Sequence, residues 1–203
     1  MNSDETSFKV IAAILSLAYG AVRLYFQRGQ KAIKKVEICH ERREHLLHNL
    51  VVVALIPLVL YVLTPWLRAF HVNLPTWLRC LGAFIFFLGD TVFLWAHYAL
   101  GRNWSPVLEI RESHELIKDG PYRYVRHPMY TALFLIGMGL ALLSANWIVG
   151  GSSLGSVVLM YLVRISSEEQ MMSERLGEAY REYSKRTGRL VPPVRRISKS
   201  LGS

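Results

Sequence analysis

Two groups of polar residues in this 203-residue chain have types and spacings suited to ligand binding. The first is the stretch from His114 to Tyr130, HELIKDGPYRYVRHPMY, which holds two His, two Arg, three Tyr and two Pro in 17 residues. The second is the pair Arg164 and Glu168, which lie four residues apart and therefore share one face of a helix. An acid and a guanidinium together suit the ammonium and the carboxylate of an amino-acid moiety, although a salt-bridged helix end is the simpler alternative.

Near the end of the first group, at Arg126, His127 and Pro128, the chain enters an apolar segment. Proline favours the first turn of a helix, so a helix is predicted to begin at Pro128. Arg126 and His127 then lie beside the unpaired backbone N–H groups of that helix start, a place that suits an anionic ligand. This stretch is predicted to be one half of a site, and the pair Arg164 and Glu168 the other half.

The elements that position these residues are predicted to be membrane helices. Apolar residues make up 52% of the chain, yet the net charge is +9, and the two classes are segregated along the sequence. A helix of about 20 apolar residues crosses a bilayer. The last apolar region is long enough for two helices, 129–143 and 148–163, separated by turn residues. The apolar regions are 8–26, 46–63, 80–100 and 129–163. The predicted fold is an all-α integral membrane bundle with about five transmembrane helices.

Lysine and arginine are distributed unevenly between the two ends of such a bundle. Of the 24 Lys and Arg residues, 21 lie in the connectors 23–45, 101–126 and 164–203. Basic connectors stay in the cytoplasm, so we expect these segments and the C-terminus there and the N-terminus outside. Because the basic residues border apolar spans, they do not indicate nucleic-acid binding. Cys39 and Cys80 fall on opposite sides and predict neither a disulfide nor a metal site.

Several polar and small residues stand within the apolar regions. Asp90 and His97 are seven residues apart on one helix face, which indicates either the polar wall of a ligand pocket or a structural hydrogen bond. Gly151 and Gly155 form a G-x-x-x-G pattern that predicts close packing between helices. Gly137 and Gly139, in the preceding helix, predict either similar packing or space for a ligand.

The chain becomes polar after Arg164 and is predicted to form a separate cytoplasmic amphipathic helix, capped near its start by Ser167. Apolar residues at helical spacing define one face of this helix. They are Met172, Leu176, Tyr180 and Tyr183.

Three motifs in this order resemble those of the isoprenylcysteine carboxyl methyltransferase family, which is related to membrane phospholipid methyltransferases. They are H-E-L-I-x-x-G-x-Y-x-x-x-R-H-P-x-Y, a later E-E, and L-G-x-x-Y-x-x-Y, and the likeness covers residues 103–192. The resemblance implies an integral membrane enzyme that uses S-adenosyl-L-methionine, held on the cytoplasmic side. No G-x-G-x-x-G motif follows a predicted strand, which excludes the soluble dinucleotide-type fold for this cofactor.

The resemblance also implies roles for individual residues. Arg164 matches the position that holds the substrate carboxylate, and it is the predicted catalytic residue. Glu168 matches the position that binds the amino-acid end of the cofactor. The remaining positions that match cofactor-lining residues are His114, Glu115, Leu116, Ile117, Tyr122, His127, Pro128, Met129 and Tyr130.

The predicted reaction is methyl esterification of a carboxylate on a prenylcysteine-like or other lipophilic substrate that enters from the membrane. Two alternatives stay open at this point: N-methylation of a phospholipid head group, and a non-catalytic transporter or scaffold. The chain is expected to be one domain, with three membrane helices in residues 1–100 and a catalytic half in 101–203. Its expected location is the cell membrane of a prokaryote or the endoplasmic reticulum of a eukaryote, with membrane lipid, but no nucleic acid or metal, as a partner.

Overall fold

A computed structural model of the protein describes residues 3–30, 37–38, 41–101, 109–110 and 116–193. Six α-helices account for most of them, and two short strands pair antiparallel, with Glu37 opposite Ile110. The helices are α1 (Ser3–Gln30), α2 (Glu41–Val53), α3 (Ile56–Leu63), α4 (Thr76–Leu100), α5 (Pro128–Ser144) and α6 (Trp147–Arg186). The strands are β1 (Glu37–Ile38) and β2 (Glu109–Ile110).

The predicted helical bundle and its five apolar segments are confirmed. Helices α1, α4 and α6 are long and apolar enough to cross a membrane, and shorter apolar helical segments cover residues 49–63 and 128–144. The second segment bends between α2 and α3, where Pro57 occupies the first turn of α3. The bundle core is built from buried aromatic and aliphatic side chains, among them Phe86 and Phe93 of α4 and Leu143 of α5.

Helices α5 and α6 are separated by a sharp turn, as the residues 144–147 predict. Ala145 adopts a left-handed conformation with φ of 47°, which ends α5. The Asn146 side chain caps α6, because its Oδ1 accepts hydrogen bonds from the backbone N–H groups of Ile148 and Val149 at 3.1 and 3.2 Å. The Asn146 amide also donates to the Leu67 carbonyl at 2.7 Å, which ties the turn to the short helical turn 66–70.

Close helix packing involves different glycines from those of the predicted G-x-x-x-G pattern. A Cβ placed on Gly151 or Gly155 would meet nothing within 4 Å in the described chain, so the prediction for this pair is wrong. The tight contact lies between α4 and α5 instead, where a Cβ on Gly82 would lie 2.6 Å from the Leu143 nitrogen. Gly139 faces the same contact from α5, which allows the two backbones to approach each other.

The polar C-terminal segment is not the separate helix that the sequence predicts. Helix α6 runs without a break through Ser167, because neither Gly nor Pro occurs between Gly155 and Gly177 to end it. The only non-helical backbone inside α6 is at Gly177, with φ of 54°. One continuous helical stretch, residues 147–176, therefore carries both the apolar face in the bundle and the polar residues Arg164, Glu168 and Glu169.

Candidate functional site

The segment that precedes α5 is fixed by a short helical turn and by the far end of α6. Residues Gly120–Arg123 form a 3-10 turn in which Pro121 and Tyr122 are buried. The Tyr183 hydroxyl of α6 donates a hydrogen bond to the Tyr122 carbonyl at 2.6 Å. Burial raises the pKa of the Tyr122 phenol well above its usual range, and the charges of Tyr183 and Glu168 act in the same direction. The Tyr122 phenol therefore stays protonated.

Glu168 is the centre of a polar cluster that joins α5 and α6. The Tyr130 hydroxyl donates to Glu168 Oε1 at 2.8 Å, and Arg164 Nε lies 3.3 Å from the same oxygen. His127 Nδ1 lies 3.6 Å from Glu168 Oε2. The predicted i, i+4 contact between Arg164 and Glu168 is thus present, and the histidine and tyrosine of the R-H-P-x-Y motif are its neighbours.

Glu169 lies on the other side of the same histidine. His127 Nε2 lies 3.5 Å from Glu169 Oε1, and Arg126 Nη1 lies 3.2 Å from that oxygen. Arg189 approaches both carboxylate oxygens, with Nη2 at 2.6 Å from Oε2 and Nε at 3.2 Å from Oε1. The imidazole of His127 therefore lies between two carboxylates. The positive end of the α5 dipole therefore already lies beside two acidic side chains of α6, Glu168 and Glu169.

A tail that follows α6 returns to the start of α5, and sequence reasoning did not identify it. The backbone N–H groups of Arg126 and His127 donate to the carbonyls of Gly188 and Arg189 at 2.8 and 3.0 Å. The Thr131 hydroxyl donates to the Leu190 carbonyl at 2.7 Å. Glu169, the second glutamate of the E-E motif, indicates that an ionic partner exists. Its neighbours in the sequence do not indicate that this partner is Arg189.

We expect the change Arg189→Gln to loosen this tail without unfolding the protein. The Arg189 side chain is 55% exposed, so its ion pair with Glu169 contributes only about 1 kcal/mol. Hydrogen exchange at the amides of Arg126 and His127, which donate to the tail, should become roughly fivefold faster. Arg186→Gln is the matched control, because Arg186 is more exposed and its ion-pair partner among the described residues is Glu182, at 3.8 Å. Unchanged exchange in the Arg189 variant would mean that the backbone hydrogen bonds hold the tail unaided.

One cavity of about 720 Å³ connects the polar cluster with the apolar interior of the bundle. Most of the predicted site residues line it: Leu116, Ile117, Tyr122, His127, Met129, Tyr130, Arg164 and Glu168. Pro128 is buried at the start of α5 and is not among the lining residues. His114 and Glu115 lie outside the described residues. Arg126, which the sequence analysis placed at the anion-binding helix start, also lines the cavity. So do Tyr180 and Tyr183, which sequence reasoning did not assign to the site.

The opposite part of the cavity is apolar and is formed by four other elements. Leu17 and Leu24 of α1, Val52 of α2 and Val59 of α3 line it, together with Phe93 of α4. The two leucines and two valines are each more than half exposed. This part of the cavity therefore extends to the lipid-facing side of the bundle. The whole arrangement suits an amphiphile, with charged and hydrogen-bonding groups at one end and an apolar channel at the other.

Asp90 and His97 do not contribute to this cavity. The His97 ring is completely buried, its Nδ1 lies 2.9 Å from the Phe93 carbonyl one turn earlier, and it packs against the rings of Phe26 and Phe93. His97 is therefore a packing residue. The carboxylate oxygens of Asp90 are buried and have no hydrogen-bond partner within the described ranges. Neither residue forms the polar wall that was one of the two predictions. Within those ranges, no group of three or more His, Cys, Asp or Glu side chains is arranged to hold a metal ion.

Comparison with known proteins confirms the resemblance that the motifs indicate. A model of the "Isoprenylcysteine carboxyl methyltransferase (ICMT) family" matches residues 81–174. Protein-S-isoprenylcysteine O-methyltransferase of Homo sapiens is 29% identical over 128 residues, covering 62% of this chain and 45% of that protein. The enzyme of the same name from Schizosaccharomyces pombe is 31% identical over 98 residues, covering 46% of this chain and 41% of that protein. The chain thus spans about half the length of these curated relatives.

A solved structure shows that the fold is shared as well. The structure of a eukaryotic intramembrane Ras methyltransferase, also an isoprenylcysteine carboxyl methyltransferase, superposes with a TM-score of 0.53 at 24% identity. The match covers 76% of this chain and 54% of that chain. The helical bundle described above is therefore an integral membrane fold.

Proposed function

We propose that this protein is an S-adenosyl-L-methionine-dependent methyltransferase that esterifies the carboxylate of a prenylcysteine-like or other lipophilic substrate. The observation that carries the proposal is the single cavity, which joins the cluster around Glu168 and Arg164 to an apolar channel open toward lipid. The similarity to protein-S-isoprenylcysteine O-methyltransferases supports the same reaction. A soluble substrate would not require the apolar part of the cavity.

The polar end of the cavity fits the proposed cofactor. Its amino-acid end carries an ammonium and a carboxylate, which need an acid and a set of cationic donors. Glu168 supplies the acid, and Arg126 and His127 lie within the same cluster. Leu116, Ile117 and the protonated Tyr122 would line the remainder of the molecule. When bound, S-adenosyl-L-methionine supplies a methyl group activated on a sulfonium centre.

The residues of this chain would then act mainly by orientation. A carboxylate is ionised near neutral pH, so the protein needs no general base to activate it. The Arg164 guanidinium, whose planar set of N–H donors matches the geometry of a carboxylate, would hold the acceptor carboxylate beside the cluster. The apolar walls from α1, α2 and α3 would hold the lipophilic part of the acceptor and exclude water from the reacting groups.

The change Arg164→Ala is expected to lower kcat/KM for the acceptor about 30-fold, because a charge-assisted hydrogen bond contributes roughly 2 kcal/mol. Affinity for S-adenosylhomocysteine should change much less. The measurements are initial rates with a prenylcysteine analogue and a calorimetric titration with S-adenosylhomocysteine. Arg181→Ala is the matched control on the same helix, since the Arg181 side chain is 65% exposed. If both kcat/KM and acceptor affinity stayed at the wild-type level, Arg164 would not be the carboxylate anchor.

The proposed reaction as a whole is tested by a methylation screen of the purified protein in detergent. A prenylcysteine analogue with a free carboxylate should accept the methyl group, and its methyl ester should not. Methylation of phosphatidylethanolamine without methylation of the prenylcysteine analogue would identify a head-group methyltransferase instead. A folded protein that fails to bind S-adenosylhomocysteine would contradict both enzymatic functions.

We also propose that the polar cluster lies on the cytoplasmic side of the membrane. The ends of α1, α4 and α6 near the cluster are the ones that adjoin the basic connectors, which hold 21 of the 24 Lys and Arg residues. The start of α1 would then lie outside. Labelling of Cys80 with an impermeant thiol reagent in intact cells tests this arrangement, because Cys80 is exposed near the opposite end of the bundle.

A further inference from the structure

A second polar region lies at the end of the bundle opposite the candidate site. The beginning of α1, the end of α3 and the 3-10 turn Trp66–Phe70 meet there around a cavity of about 280 Å³. Its ionisable lining residues are Glu5, Lys9, Tyr61, Arg68 and His71. None of these side chains contributes to the proposed methyl transfer.

The acid in this region is already neutralised. Arg79 Nη1 lies 2.7 Å from Glu5 Oε2, and the Tyr61 hydroxyl donates to Glu5 Oε1 at 3.0 Å. Arg79 is itself held in place, because its Nη2 donates to the Tyr61 oxygen at 3.2 Å and its Nε donates to the Leu143 carbonyl at 3.0 Å. The guanidinium also stacks over the Phe8 ring, 3.9 Å from its centroid. Glu5 and Arg79 therefore form a fixed, electrically neutral ion pair at the cavity.

Two other cationic side chains, Lys9 and Arg68, line this cavity. The half-buried Lys9 donates from Nζ to the Thr64 carbonyl at 3.2 Å and lies over the Tyr61 ring. Neither Lys9 nor Arg68 has a carboxylate within ion-pair distance in the described part of the chain. The arginines at the other end differ in this respect, since Arg126 and Arg164 are each paired with a glutamate. Among the described residues, the small cavity thus has a net positive charge that no carboxylate balances.

The surroundings of this cavity have the character of a membrane interface. Trp66 and Trp77 are both more than two-thirds exposed, as interfacial anchors are, and Leu63 at the end of α3 is 75% exposed. Cationic side chains in a cavity between membrane helices can bind the phosphate of a lipid head group through charge-assisted hydrogen bonds. The same donors would accept a free phosphate ion, whereas the neutralised Glu5 leaves no acid for a quaternary ammonium.

From this geometry we propose that the cavity around Lys9 and Arg68 is a binding site for a phosphate group, which an anionic phospholipid at that membrane surface supplies. His71, which also lines the cavity, would add a third donor. Lys9 is more buried than Arg68 or His71 and would contact the phosphate from α1, while Arg68 would contact it from the 3-10 turn. The site is independent of methyl transfer, because it lies at the other end of the bundle and shares no lining residue with the large cavity.

The test is calorimetric titration of the protein in a nonionic detergent with short-chain phosphatidylglycerol, short-chain phosphatidylcholine and inorganic phosphate. Phosphatidylglycerol should bind, and the double variant Lys9→Gln/Arg68→Gln should weaken this binding about tenfold or more, which is the loss of at least one charged hydrogen bond. Binding should also weaken as salt is raised. Phosphatidylcholine should bind more weakly, because its ammonium finds no acid.

Arg181→Gln/Lys185→Gln is the matched control, since it removes the same charge from exposed positions near the other end of the bundle. An equal loss in the control would show non-specific attraction and overturn the proposal. Equal binding by wild type and the Lys9 and Arg68 variant would also overturn it. Inorganic phosphate that binds as tightly as phosphatidylglycerol would retain the site but assign it to a free anion. If the double variant does not fold, Arg68→Gln alone decides, because the exposed Arg68 side chain forms no ion pair within the described residues.

Discussion

The change Glu168→Gln is expected to reduce affinity for S-adenosylhomocysteine by about 30-fold or more. Glu168 lies where the Tyr130 hydroxyl, Arg164 and His127 converge, and it is the acid that the proposed cofactor's ammonium requires. Glutamine keeps the shape but removes the charge, and it removes the ion pair between Glu168 and Arg164. Losing one partner of a buried charge pair costs roughly 2–5 kcal/mol, which corresponds to this range of affinity. Calorimetric titration with S-adenosylhomocysteine measures the change directly.

Glu174→Gln provides the matched control for this experiment. Glu174 is an exposed residue on the same helix, and its hydrogen-bond partner is the exposed Gln170 at 2.7 Å. The control should bind S-adenosylhomocysteine as the wild type does. Wild-type affinity in the Glu168 variant, with the fold intact, would remove Glu168 from the cofactor site and leave it as a purely structural link between α5 and α6.

The second large effect is expected for stability, from adding a single methyl group at Gly139. A Cβ at this position would collide with the Phe86 backbone nitrogen and lie 2.7 Å from the Phe86 Cα and 2.8 Å from the Gly82 carbonyl oxygen. These are backbone atoms, so only a separation of α4 from α5 relieves the collision. We expect Gly139→Ala to destabilise the protein by about 3 kcal/mol. Thermal unfolding in detergent should show a decrease in Tm of several degrees.

Gly155→Ala separates this steric effect from the general effect of alanine in a helix. A Cβ on Gly155 meets nothing within 4 Å, and alanine favours the helix by up to about 1 kcal/mol over glycine. The control should therefore unfold at the same temperature as the wild type or slightly higher. Equal Tm values for the Gly139 and Gly155 variants would show that α4 and α5 do not require the close approach.

Local spacing was sufficient to predict one contact of the candidate site but not its full composition. Arg164 and Glu168 are one helical turn apart, so their contact follows from helix geometry alone. Arg189 reaches Glu169 only because the chain reverses after α6, and no local periodicity encodes that reversal. The position of α5 relative to α6 brings Tyr130 to Glu168 across 38 residues, which is likewise a consequence of tertiary packing.

The same difference between local and tertiary interactions explains which predictions about the fold were right and which were wrong. The turn at Asn146 was predictable, because an asparagine cap acts on its own next residues. The G-x-x-x-G pattern was misleading, because small residues permit close packing only if a neighbouring helix faces them, and none meets Gly151 or Gly155 within the described chain. The prediction that a new helix begins at Ser167 was wrong, because a capping residue does not interrupt a helix that can continue through it.

The continuity of α6 sets the height of the polar cluster relative to the membrane. From the exposed Trp147 at one end to Arg164, the helix rises about 26 Å at 1.5 Å per residue, close to the roughly 30 Å thickness of a bilayer's hydrocarbon region. In the proposed orientation, this length of α6 would place Arg164 and Glu168 at the boundary between hydrocarbon and water. A lipid-anchored carboxylate at that depth would meet these residues while its chain remains in the bilayer, and lengthening α6 by one turn before Arg164 would move them apart.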